Sequence, residues 1–347
     1  MSAPVYRALA LQSRCDSVSG LDAAAARARI REAIARLGEE LSAARRFIGP
    51  ELRLVVLPEY LLTGYPAAEE CAAWHEVAAL EPEGPELAAL AALAGRLGLY
   101  LCVNAYERDP AFPGFYFQVC RIFSDQGATI LRYRRLLSLF APTPWDVLSR
   151  FLAVYGEEAL LPVADTPLGR LACIASEEIL FPEIARALAL RGAEVLLHPT
   201  SEAGSPALTP KEVARRARAV ENLAFVVSAN TAGVHGGGLP AASADGMSKI
   251  VDFEGRVLAE AGFGPSLVAN AELDLGALRR ARRRPGMGNL LARQRQALFA
   301  ASQRLRIEEP DGFLRDGEPL PPSRAALLAR HREAVARLVA LGIVPEG

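Results

Sequence analysis

Ser176 ends an apolar run, Leu171-Ala172-Cys173-Ile174-Ala175, and is followed at once by two acids, Glu177 and Glu178. A serine hydroxyl there is a potential nucleophile, but unlike a thiol it needs an effective base throughout attack. A second candidate, Glu59, directly follows Pro58 at the end of Leu54-Val55-Val56-Leu57. A strand end is a poor place for a merely solvated charge, so Glu59 reads as a base or pocket carboxylate. His198 ends the next apolar run, Val195-Leu196-Leu197, and reads as a structural or pocket-lining side chain ahead of a general base. Cys173 lies three residues before Ser176; an odd offset along a strand points it to the opposite face, which removes it as the nucleophile.

These groups need rigid supports. Residues 169–175 read as a buried strand that breaks at a tight elbow. The helix that follows is opened by Pro182 and closed by Gly192, and 195–199 form a second strand. Open α/β sheets place their chemistry at the carboxyl ends of strands, where such an elbow sits. A strand over 52–57 delivers Glu59 in the same way. Helices are expected over 21–47, 86–97 and 210–223, and strands over 100–104 and 224–229. Asp125-Gln126-Gly127 joins 117–124 to 128–134 as a hairpin, and Glu254-Gly255 joins 248–253 to 256–261. Residues 138–151, with Trp145, read as a loop or short helix able to cover a pocket, and 266–273 as a closing strand.

The order of these landmarks resembles the nitrilase, or carbon–nitrogen hydrolase, superfamily. Gly169, Phe181-Pro182-Glu183, Leu54 to Tyr65 around Glu59, Arg132-Tyr133-Arg134-Arg135, Arg216 to Asn222, Asn230, Gly233 and Gly246-Met247-Ser248 follow the family pattern in unbroken order. Aligned this way, Ser176 falls on the family's nucleophilic cysteine, Glu59 on its catalytic glutamate and Arg135 on its catalytic lysine. The resemblance implies an α/β fold, a four-layer α-β-β-α sandwich, and a site made of Glu59, Arg135 and Ser176. It also implies that the segments carrying Tyr65, Tyr116, Trp145, His198 and Glu202 converge as substrate-binding residues. Near 140–146 the sequence has no glutamate for a further acid of the family site; Asp146 is the nearest carboxylate. Glu178 fits the family's acid after the elbow, with holding the turn and chemistry as equal readings.

The 347 residues, 51% of them hydrophobic, suffice for an enzyme-sized core. A net charge of −1 argues against a nucleic-acid or anionic-membrane surface. No apolar run is long enough to span a membrane. The five scattered cysteines lack metal-ligand spacing with the four histidines, so no metal or cofactor is expected and the compartment is reducing, hence cytoplasmic. The basic run at 279–284 reads as a solvated or subunit-facing helix end. Residues 1–284 are expected as one carbon–nitrogen hydrolase domain. Residues 285–347 are expected as a helical extension, with helices over 290–305 and 323–341, making subunit contacts in a homo-oligomer.

Two functions fit. In one, the serine and arginine mark a degenerate site that binds a small amide, acid or amine with weak or no classical hydrolysis. In the other, a divergent amide hydrolase uses Ser176 as nucleophile and Glu59 as base. Arginine cannot give up a proton at neutral pH, so Arg135 can offer charge but not proton transfer. The chain holds only two lysines, Lys211 and Lys249, among 39 basic residues, so drift toward arginine accounts for that position cheaply.

Overall fold

The computed structural model describes residues 3–203, 208–238 and 240–345. Two six-stranded sheets form the centre. In the first, Val5–Ala10, Leu52–Val56 and Tyr100–Arg108 run parallel, and Asn270–Asp274, Tyr116–Phe123 and Thr129–Arg134 extend the edges antiparallel. In the second, Gly169–Cys173, Val195–Pro199 and Phe225–Ala229 run parallel between antiparallel edges.

Side-chain alternation explains why the sheets stack. Along a strand, successive residues face opposite sides. Ala8, Ala10, Leu54 and Val56 of the first sheet therefore meet Leu171, Cys173, Val195, Leu197 and Val227 of the second in one buried cluster. Their neighbours Leu9, Val55 and Leu57 face outward, against Ile30, Leu37, Leu41 and Leu90. Those four come from helices Ala23–Ile48 and Pro85–Leu97. On the far side Ala172, Ile174, Leu196 and Val226 meet Ile184, Leu188, Ala214 and Ala219 of helices Pro182–Leu190 and Pro210–Asn222. The result is the four-layer α-β-β-α sandwich. Each fully buried Leu, Ile or Val contributes about 1.5–3 kcal/mol relative to exposure.

The expected helix over 290–305 is largely absent. There the chain makes a 3-10 turn, Gln296–Phe299, and a single helical turn, Ala300–Gln303. Leu298, Phe299 and Leu305 are exposed, so a helix here has no apolar face to bury, and short helices without one are marginal. The second tail helix does form, at Arg324–Ala340. It docks on its own chain: Arg330 pairs with Asp146 at 3.1 Å, and Leu327 joins the outer core. Residues 138–151 include a 3-10 turn, Pro144–Val147, and the start of a helix, Leu148–Tyr155. Among the described residues no helix is long and apolar enough to cross a membrane.

Candidate active site

Ser176 sits where the Gly169–Cys173 strand leaves its sheet and opens a 3-10 turn, Ser176–Leu180. Its φ is +51°, the left-handed region that a residue with a Cβ enters at a cost of about 1–2 kcal/mol. Tyr60, directly after Glu59, has φ +59°. Such outliers persist only when the surroundings over-determine them, and here they do. Glu178 accepts from the amides of Leu136 at 2.7 Å, Leu137 at 3.1 Å and Ala175 at 3.0 Å, and from the Tyr133 hydroxyl at 2.8 Å. That carboxylate is fully buried and its four donors use its acceptor capacity. Burial still raises its pKa, against the pull of Arg135 and these donors. Glu178 is thus the fastener that ties the elbow to the end of Thr129–Arg134.

His198 secures the other side. Its Nε2 donates to the Ser176 carbonyl at 2.8 Å, which leaves Nδ1 to accept from Ser228 Oγ, also at 2.8 Å. The ring is completely buried, and desolvation, helped by the Arg215 charge, holds its pKa well below the ordinary histidine value. A neutral imidazole bound in this way holds the backbone of Ser176.

Glu59 is buried, and its amide donates to the Thr200 carbonyl at 3.2 Å, joining strand ends of the two sheets. Oε1 accepts from Gln118 Nε2 at 2.7 Å and from Arg135 at 3.3 Å. Oε2 has no hydrogen-bond partner among the described residues. Arg135 also donates to Gln118 Oε1 at 2.6 Å, to the Leu137 carbonyl at 2.6 Å and to Glu177. Burial pulls its pKa down, but Tyr60, Glu59, Glu177 and Glu178 outweigh that, so the guanidinium stays a cation. Gln118, on a fully buried strand, therefore bridges the carboxylate and the guanidinium.

The fourth group was not foreseen. Lys211 Nζ lies 3.1 Å from Ser176 Oγ and 3.1 Å from Thr200 Oγ1. It projects from the first turn of the Pro210–Asn222 helix, capped by Thr209. Desolvation lowers its pKa; Glu59 and Glu202 oppose this, while Arg215 and Arg135 add to it. A signal was present in the sequence, since a lysine among so many arginines is a choice of chemistry. Nothing in linear spacing placed it against the elbow.

The other anticipated residues divide. Glu202 pairs with Arg215, and its backbone is held by Asn230 at 3.0 Å on both the amide and the carbonyl. Trp145 shares with Glu177, Phe181 and His331 a cavity of about 580 Å³ between the elbow and the tail helix. Tyr65 is half-buried, 6.0 Å ring to ring from Tyr60. Tyr116 is buried edge-on against Tyr106, 5.4 Å away. Asp146 caps its own turn, accepting from Thr143 at 2.8 and 2.9 Å, and pairs with Arg330. Cys173 points into the inter-sheet core, its Sγ 3.8 Å from that of Cys102, and burial pushes its thiol well above the ordinary value. A thiol so held does not supply a thiolate.

This architecture has counterparts. The sequence pattern of the carbon–nitrogen hydrolases matches residues 12–283. A bifunctional nitrilase/nitrile hydratase NIT4B of Nicotiana tabacum is 28% identical over 262 residues, which cover 66% of this chain and 70% of that protein. A formamidase of Pseudomonas syringae pv. tomato is 29% identical over 241 residues, 69% of this chain and 65% of that one. Among solved structures, Nit3 of Saccharomyces cerevisiae superposes with a TM-score of 0.62 at 22% identity, covering 80% of this chain and 93% of its own. A double mutant of the amidase from Nesterenkonia sp. AN1, in complex with acrylamide, superposes with a TM-score of 0.62 at 21% identity, covering 86% and 97%. With most of its length matched by the family pattern, the chain belongs to the carbon–nitrogen hydrolase family.

Proposed function

We propose that this protein hydrolyses the C–N bond of a small, non-peptide amide, with Ser176 Oγ as the nucleophile. The observation that carries this reading is the elbow itself. Ser176 is held at φ +51° with its carbonyl fixed by His198, and Glu178, two residues on, is fixed by the Tyr133 hydroxyl and the Ala175 amide. A turn strained and fastened in this way is what presenting a nucleophile requires. Matched by its sequence landmarks to the family pattern, Ser176 stands at the cysteine position and Arg135 at the lysine position, and on this reading a hydroxyl attacks the electrophile. The Arg135 guanidinium supplies positive charge for the developing oxyanion. The acyl group passes to Ser176 as an ester, ammonia or an amine leaves, and water releases the acid.

A second reading, a site that binds such a ligand without turning it over, is favoured by one observation. Arg135 is engaged by Glu59, Gln118 and Glu177 at once, which neutralises the carboxylate expected to act as base. Ammonia release from formamide, acetamide, acrylamide and butyramide separates the two. Release that disappears in Ser176→Ala supports hydrolysis. A silent native protein whose Tm is raised by one of these amides, unconsumed, supports binding alone.

A further inference from the structure

Glu59 is a weak candidate for deprotonating Ser176, because Oε1 is held by Gln118 and Arg135 and Oε2 makes no hydrogen bond to Ser176 Oγ. His198 is excluded by its geometry, since both ring nitrogens are occupied, one by the carbonyl of Ser176 and one by Ser228. Lys211 remains. Its Nζ is 3.1 Å from Oγ, within the reach that a general base needs. Among the described residues its two hydrogen-bond contacts are both hydroxyls, Ser176 and Thr200. The other lysine, Lys249, is gripped by Glu212 and Glu260, as a structural cation would be.

We propose that Lys211 is the general base and acid of this site, a Ser176–Lys211 pair that Thr200 orients. The inference rests on Ser176 being the nucleophile. In the step, neutral Nζ takes the Oγ proton as Oγ bonds to the amide carbon, whose π pair moves onto oxygen. The resulting ammonium gives that proton to the departing nitrogen as the C–N bond breaks, leaving an ester. Water then attacks the ester carbon, losing a proton to Nζ, and the ammonium returns a proton to Oγ as the C–O bond breaks. Amide plus water becomes acid plus amine, and the pair is regenerated.

The surroundings suit an amine poised to lose its proton. Arg215 on its own helix and Arg135 at the end of Thr129–Arg134 disfavour the ammonium. So does the positive end of the Pro210–Asn222 helix. Glu59 and Glu202 pull the other way.

The test uses phenylmethylsulfonyl fluoride, which reports on Oγ reactivity without a known substrate. Oγ attacks sulfur, fluoride leaves, and the base takes the proton. Wild type is expected to be sulfonylated at Ser176 by peptide mass mapping. The rate should rise with pH to a plateau, with a midpoint below the ordinary lysine value of about 10.4. Lys211→Met and Lys211→Arg, each checked for a retained Tm, should react at least about 100-fold more slowly. Lys211→Ala should regain rate with added methylamine, in proportion to the free amine. Wild-type reactivity and pH profile in Lys211→Arg would overturn the pair while leaving Ser176 as the nucleophile. Loss in Lys211→Met alone would assign Lys211 a charge-holding role and overturn it too. A wild type that is never labelled at Ser176 and releases no ammonia would defeat the nucleophile reading, and the pair with it.

Discussion

Tyr133 and Glu178, 2.8 Å apart from hydroxyl to carboxylate, join the two sheets at the point where the candidate nucleophile leaves its strand. Tyr133 belongs to an edge strand of the first sheet, and Glu178 lies just beyond Gly169–Cys173 of the second. Hydrogen bonds to a charged acceptor contribute about 1.5–3 kcal/mol. Tyr133→Phe is therefore expected to lower stability by that amount, read as a shift in urea midpoint at constant m. Glu178→Ala should cost more, because one buried amide and two partly buried ones then lose their acceptor. A Tyr133→Phe midpoint equal to wild type would show that the elbow does not depend on this link.

Arg135 and Glu59 form a buried ion pair at 3.3 Å, each almost without exposed surface. Removing one partner of such a pair costs about 3–5 kcal/mol, mostly from the charge left behind. Arg135→Met should fall in that range by denaturant unfolding. Arg135→Lys keeps the charge but not the fork that also reaches Gln118 and Glu177, so it should lie between Arg135→Met and wild type.

Ser176→Gly and Ser176→Ala both remove the hydroxyl, and both are expected to abolish ammonia release. They differ in backbone freedom, because glycine enters the left-handed region without strain. At φ +51° Ser176→Gly should be more stable than Ser176→Ala by about 1 kcal/mol. Differential scanning calorimetry of the two variants, at one pH, checks the sign.

The pH dependence of stability should carry the mark of His198. Its folded pKa is depressed, mainly by burial, while the unfolded chain takes up a proton near the ordinary value of about 6.5. Between those two values the unfolded state binds more protons, so stability rises with pH and is lost as pH falls below about 6.5. One such group contributes a slope of at most about 1.4 kcal/mol per pH unit. Urea titrations from neutral to mildly acidic pH should show a shallower slope in His198→Gln. Identical slopes would mean that the ring titrates in the native state as it does in the unfolded chain.

The elements that carry the site were legible because their signals are local. Pro182 and Gly192 bracket the helix after the elbow, alternation marks the strands, and the landmarks from Glu59 to Gly246 keep the order of one family. Strand ends were read to within a few residues, and the tail failed only where apolar spacing found no surface to cover. Ser176 and Glu59 were candidates because each ends a readable strand, and Arg135 through its place in the family pattern.

Who touches whom was decided by tertiary structure alone. Whether Glu178 would hold the turn or do chemistry depended on four donors arriving from the hydroxyl of Tyr133 and the amides of Ala175, Leu136 and Leu137. His198 became the anchor of a carbonyl because Ser228 and Ser176 lie on opposite sides of its ring. Lys211 reached Ser176 because the outer helix of one layer begins beside the elbow of the next, 35 residues earlier in the chain. Periodicity fixes which face a residue shows, through the geometry of its own element. Contact between elements depends on how layers stack, and no local pattern encodes that distance.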